Sequence, residues 1–90
     1  MAGQFTGMDI PAVRQLSQQL TTKANEIQQI MQTLTSLLQN TQWVGPDQTR
    51  FLADWQSTHV SALNNVINGL NDASQKASQN ATEQETASNT

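Results

Sequence analysis

Cysteine and tyrosine are both absent from this 90-residue chain, and there is a single histidine. Without cysteine there is no disulfide staple and no thiolate metal site. Aromatic residues make up only 4% and charged residues 12%, so neither a large aromatic core nor a strong electrostatic surface is available. The formal net charge is −3, and the four basic residues are scattered. Nucleic-acid binding normally draws on a clustered basic surface that displaces counterions, and none is present. No apolar run approaches the roughly 18 to 20 residues that span a bilayer. The segment Met1-Ala2-Gly3-Gln4-Phe5-Thr6-Gly7-Met8 has neither a basic start nor an apolar stretch, which argues against a secretory signal peptide.

Catalytic constellations are equally scarce. A reactive site needs a nucleophile, an acid–base pair or a metal cluster gathered in a pocket. Here Asp9, Glu26, Asp47, Asp54 and Asp72 are spread along the chain and read as capping, dipole or solvated charges. No Gly-rich phosphate loop and no His-X-X-X-His or Glu-X-X-His spacing is found. The sequence therefore predicts a protein that is not an enzyme and that carries no cofactor or metal.

What is present is helical periodicity on both sides of one break. Asp9 is a good N-cap, Pro11 suits the first turn, and Met8 and Val13 have the spacing of a hydrophobic staple. Val13, Leu16, Leu20, Ile27, Ile30, Leu34 and Leu37 then come in steps that place them on one heptad stripe, widened by Ala24, Met31 and Leu38. Lys23 interrupts the stripe: its stem lies along the seam with the ammonium in water, or it fixes pairing register. Periodicity lapses at Asn40-Thr41-Gln42, and Gly45-Pro46 breaks the helix and starts the next, with Gly45 as N-cap. The second arm carries Phe51, Leu52, Trp55, His59, Leu63, Val66 and Leu70, with Ala62 and Ile67 beside them and only alanines on the stripe beyond.

These signals predict an all-α fold: an antiparallel two-helix hairpin pairing into a dimeric four-helix bundle. The expected division is a loose tail over 1–8, a helix over 9–40, a turn over 41–46, a helix over 47–77 and a flexible tail over 78–90. A chain this short buries little of its surface, and two helices alone leave a flank of each in water. A partner chain is the expected way to finish the core. Trp43 reads either as a seal at the open end or as an exposed anchor, Trp55 as core, and His59 as a partly wet seam residue or a pH sensor.

Taken together, the central Trp43-Val44-Gly45, the two amphipathic arms and the missing signal peptide resemble the ESAT-like Trp-X-Gly family of type VII secretion proteins. Gly7-Met8-Asp9, Trp43-Val44-Gly45-Pro46-Asp47, Phe51 and Asp54-Trp55 add to the likeness, which covers nearly the whole chain. The resemblance implies a folded protein exported from the cytoplasm of a Gram-positive bacterium without a Sec signal peptide. It further implies pairing with itself or with a paralogue, and recognition by a secretion ATPase. Many exported members carry Tyr-X-X-X-Asp or Tyr-X-X-X-Glu after the second helix. With no tyrosine here, Asn80 stands near the tyrosine position and Glu83, Gln84 and Glu85 near the acidic one. That is a degenerate signal region, or the mark of a chain carried out by its partner. Two other functions fit the residues: an intracellular helical adaptor or scaffold, and a membrane-disrupting effector that exposes its seams at acidic pH.

Overall fold

The computed structural model describes residues 8–89, and all of its regular structure is helical. Helix α1 spans Ile10–Asn40, α2 spans Pro46–Asp54, a π-helical turn spans Trp55–His59, and α3 spans Val60–Asn89. Residues 1–7 of the expected N-terminal tail lie outside the described residues.

The boundaries arise from local chemistry. Asp9 caps α1, its Oδ1 accepting the Ala12 N–H at 3.1 Å while its carbonyl accepts the Val13 N–H at 2.9 Å. Thr41 ends the helix in an extended conformation, its N–H bonded to Leu37 O. Gly45 sits at φ 138° and ψ 176°, a backbone region open essentially to glycine alone, and α2 starts on the next residue, Pro46. The break between helices thus covers residues 41–45 with Gly45 as N-cap, and α2 begins one residue before the expected start at 47.

α1 and α3 lie against each other over most of their length, running in opposite directions. Ser17 meets Ser74 near one end and Thr35 meets Trp55 near the other. The result is a rod, 65 × 17 × 15 Å, with a radius of gyration of 19.8 Å. A compact chain of this length would have a radius of about 12 Å.

The contact between the arms is built from small residues. Ala24 and Ala81 are fully buried, Ser17 and Ser74 nearly so, and Met31, Trp55 and Ile67 are the large side chains that join them. On α1, Ser17, Ala24 and Met31 recur every seventh residue; Ile67, Ser74 and Ala81 do the same on α3. Small side chains let the backbones approach, and close approach puts backbone carbonyls within reach of hydroxyls. Ser17 Oγ donates to Ser74 O at 2.8 Å, and Ser74 Oγ donates back to Ser17 O at 2.7 Å. Thr21 Oγ1 lies 2.8 Å from Ser74 Oγ and completes the network. Among the described residues no buried side-chain polar atom lacks a partner. The buried hydroxyls therefore avoid the penalty of an unmade bond.

Two features differ from the sequence expectation. The second arm is one continuous rod only through its π turn. A π turn holds one residue more than the α-helical course, which rotates the residues before it by about 100° relative to those after it. In an unbroken α-helix Trp55 would share a flank with Val66, eleven residues on. The turn instead brings Trp55 to 8% exposure, with Nε1 donating to Thr35 Oγ1 at 2.7 Å. Ser57 Oγ, bonded to Ala53 O at 2.8 Å, occupies one of the loosened carbonyls.

The second difference is the C-terminal segment. Expected to be flexible from residue 78, it continues as α3 to Asn89. Its anchors are Ala81, fully buried against α1, and Arg14, whose guanidinium lies 2.8 Å from Glu85 Oε1 and 3.3 Å from Thr82 Oγ1. Polar composition concealed an alanine and serine seam that continues the packing line of Ile67.

Candidate functional site: an uncovered apolar face

The predicted stripe divides in two. On α1, Val13, Leu20 and Ile27 are half-buried, whereas Leu16, Ile30, Leu34 and Leu37 remain 40–57% exposed. On the second arm Trp55 is buried and Leu52, Leu63 and Leu70 are half-buried, while His59 and Val66 are exposed. So the apolar arc of each arm is wider than the contact between them. One edge meets the other arm and the other edge faces outward.

Both outward edges lie on the same side of the rod. Arg14 and Thr21 flank the Ser17–Ala24–Met31 line on one side, and they reach Thr82, Glu85 and Ser74 of α3. Leu16, Ile30 and Leu37 occupy the opposite flank of that line, roughly a hundred degrees away at 3.6 residues per turn. Antiparallel arms place like-turned flanks together, so Val66, Ala73 and His59 join Leu16, Ile30 and Leu37 on one face. The other side is polar. A shallow groove of about 490 Å³ there is lined by Met31, Gln32, Thr35, Ser36, Gln39, Gln56 and Val60, with no titratable side chain among them.

The apolar face is bulky towards the bend and thin towards the other end. Trp43 is 44% exposed and Val44 91% exposed. The rings run in series, Trp43 to Phe51 at 6.0 Å, Phe51 to His59 at 6.4 Å and His59 to Trp55 at 6.1 Å. Trp43 is thus an outward-facing ring resting on Phe51, which fits the anchor reading better than the seal. Beyond Leu70 the face offers only alanines and polar residues.

Charges on this face are few. Lys23, on the same heptad line as Leu16 and Ile30, pairs with Glu26 at 3.1 Å, and both side chains are about half exposed. Its ammonium reaches water, as the snorkelling reading required. In the predicted signal region, Asn80 and Glu83 are exposed, Gln84 is half-buried, and Glu85 is held by Arg14. All four ride on α3.

Sequence reasoning missed Ser17, Ser74 and Ala81 as contact residues. Their seven-residue spacing was visible, but serine and alanine carry no hydrophobic weight, so the larger neighbouring line drew the seam instead. Among the described residues no group of acids and histidine is arranged to hold a metal ion, and no helix is long and apolar enough to cross a membrane. Comparison with models of protein families, with curated proteins and with solved structures finds no match.

Proposed function

We propose that this chain is a non-enzymatic interaction module: an antiparallel helical hairpin that completes its core by pairing face to face with a second hairpin of its kind. The product is a four-helix bundle. One observation carries the reading. The large aliphatic side chains Leu16, Ile30, Leu37 and Val66 are turned away from the other arm, outside a contact that Ser17, Ala24, Ser74 and Ala81 share with Met31, Trp55 and Ile67. A helix pair that leaves a row of aliphatic side chains on one outer flank gains by covering that flank.

The areas agree. The chain exposes 6380 Å², against about 5,200 Å² for a compact protein of its mass. The excess, about 1,200 Å², is more than enough for the 800 Å² or so that each partner covers in a standard interface. Contiguous apolar patches of several hundred Å² are rare on monomers and mark interaction sites.

The biological setting is proposed from the Trp43-Val44-Gly45 bend and the words around it: a protein exported through a type VII secretion system, alone or with a paralogue. The bend of one hairpin then lies beside the end of the second helix of its partner. In that setting the region from Asn80 to Glu85 and the exposed Trp43 form one composite surface for the secretion ATPase. Light scattering coupled to gel filtration tests the pairing, and a persistent monomer at high micromolar concentration overturns it. Extracellular levels in a host lacking the secretion ATPase test the export, which fails as a proposal if those levels are unchanged.

A further inference from the structure

The π turn at Trp55–His59 holds one residue more than an α-helix places over the same rise, so the second arm has another way to run through it. Val66, exposed, marks the outer flank of α3, and Ile67, buried, marks its inner line. In the described register Trp55 falls in line with Ile67, and the half-buried Leu52 and Gln48 continue that line along α2. Relaxing the turn to a plain α-helix rotates everything before it by about 100°. Trp55 then stands eleven residues before Val66 and Gln56 eleven before Ile67, each within about 20° of three full turns.

The residues accommodate both registers. In the second, Gln56, Ala53 and Thr49 face α1 in place of Trp55, Leu52 and Gln48, and none of the three is charged. Thr35 Oγ1, which accepts the Trp55 indole N–H at 2.7 Å, keeps a donor at hand, because the Gln56 amide already lines the same groove. Little holds α2 against the rotation: none of its residues is buried, and the non-helical bend at 41–45 takes up the twist. Asp47 and Asp54 show what the rotation achieves. By helical spacing they continue the outer flank past His59 in the described register. In the second they turn away, and Leu52 and Trp55 replace them in line with His59, Val66 and Ala73.

We infer that the π turn is a rotary switch: one register stows Trp55 between the arms, and the other presents it with Leu52 on the outer face in exchange for two carboxylates. The inward register predominates in the lone chain, because it leaves the indole only 8% exposed. An apolar surface laid on the outer flank favours the other register by its difference in affinity for the two. The switch belongs to a single hairpin and does not depend on two hairpins pairing.

The test is relaxation-dispersion NMR on the full chain, read at the Trp55 indole N–H and the amides of residues 46–52. The expected result is exchange with a minor state on the microsecond-to-millisecond scale, its population independent of protein concentration. Deleting Ser57 removes the extra residue, so Trp55 reaches the inner line in an unbroken α-helix and the exchange disappears. Trp55→Gln combined with Gln56→Trp instead fixes the second register, and its shifts over 46–52 match those of the parent's minor state. That match keeps the test decisive where the deletion variant does not fold. Absence of concentration-independent exchange in the parent, its persistence after the deletion, or a mismatch between the exchanged variant and the minor state overturns the switch. Light scattering judges pairing separately, so the two proposals fail independently.

Discussion

Ile30 and Met31 are neighbours in sequence with opposite fates, and they separate the outward face from the inner seam. Met31 is 8% exposed and Ile30 is 57% exposed. Met31→Ala removes a buried side chain between the arms, so it should cost about 2–5 kcal/mol at any protein concentration. Ile30→Ala in an isolated chain removes a side chain already half in water, and its cost there stays within about 1 kcal/mol. In a paired bundle the same residue is covered twice, once per copy. At about 2 kcal/mol for each, the dimer loses on the order of 4 kcal/mol, close to a thousandfold in dissociation constant. Urea denaturation at low and high micromolar concentration, with sedimentation equilibrium alongside, reads both effects. The signature is a penalty for Ile30→Ala that grows with concentration beside a constant one for Met31→Ala. If Ile30→Ala costs less than about 0.5 kcal/mol even where the parent is fully associated, the face is a solvated surface and the pairing argument fails.

Other substitutions test the internal architecture. Ser17→Ala should cost about 0.5–1.5 kcal/mol by removing the bond to Ser74 O, since Ser74 Oγ keeps Ser17 O and Thr21 Oγ1, and Ser17→Ala with Ser74→Ala together should cost less than the sum; additive losses in a double-mutant cycle would mean the two hydroxyls act independently. The glycines should respond with opposite signs. Gly45→Ala forces a side chain onto φ 138° and should destabilise by about 1–3 kcal/mol, while Gly69→Ala, in open helical space, should stabilise by up to about 1 kcal/mol, both read by thermal melts. Trp55→Phe loses the 2.7 Å bond to Thr35 Oγ1 and should cost about 1–2 kcal/mol. In single-tryptophan variants, Trp55 should resist acrylamide quenching and Trp43 should be quenched readily until pairing covers it; equal quenching at low concentration would contradict the placement of the π turn.

Much of the helical course was legible because its ends are written in local chemistry. Asp9 as N-cap, Pro11 in the first turn and Gly45-Pro46 at the break each act within a few residues, and α1 appears at Ile10–Asn40 as those signals require. The π turn was not legible. Its cause is tertiary: an α-helical course would leave Trp55 on the outward flank, and burying the indole against Thr35 compensates for a loosened turn. The same holds for residues 78–89. Their composition reads as disorder when the segment is taken alone, since nothing larger than alanine anchors it. Packed against α1, Ala81 loses all its exposure, and Arg14 ties down Glu85. A segment's own hydrophobicity says little about a contact whose purpose is closeness rather than burial.

The site illustrates the same limit from the other side. Periodicity showed that Leu16, Ile30, Leu37 and Val66 belong to an apolar flank, but an apolar flank has no label for the neighbour it will meet. Only the packing of Ser17, Ala24, Ser74 and Ala81 reveals that the place against the other arm is taken by something smaller. That division has an energetic consequence. The seam buries Met31, Trp55 and Ile67 among alanines and serines, and the aliphatic side chains of the outer flank are left in water, where covering them would add hydrophobic gain against chain entropy. Folding and association are then linked: whatever covers Ile30 and Val66 also stabilises the hairpin that presents them. If the chain pairs as proposed, its melting temperature should rise with protein concentration until the face is filled; a melting temperature independent of concentration would refute that link.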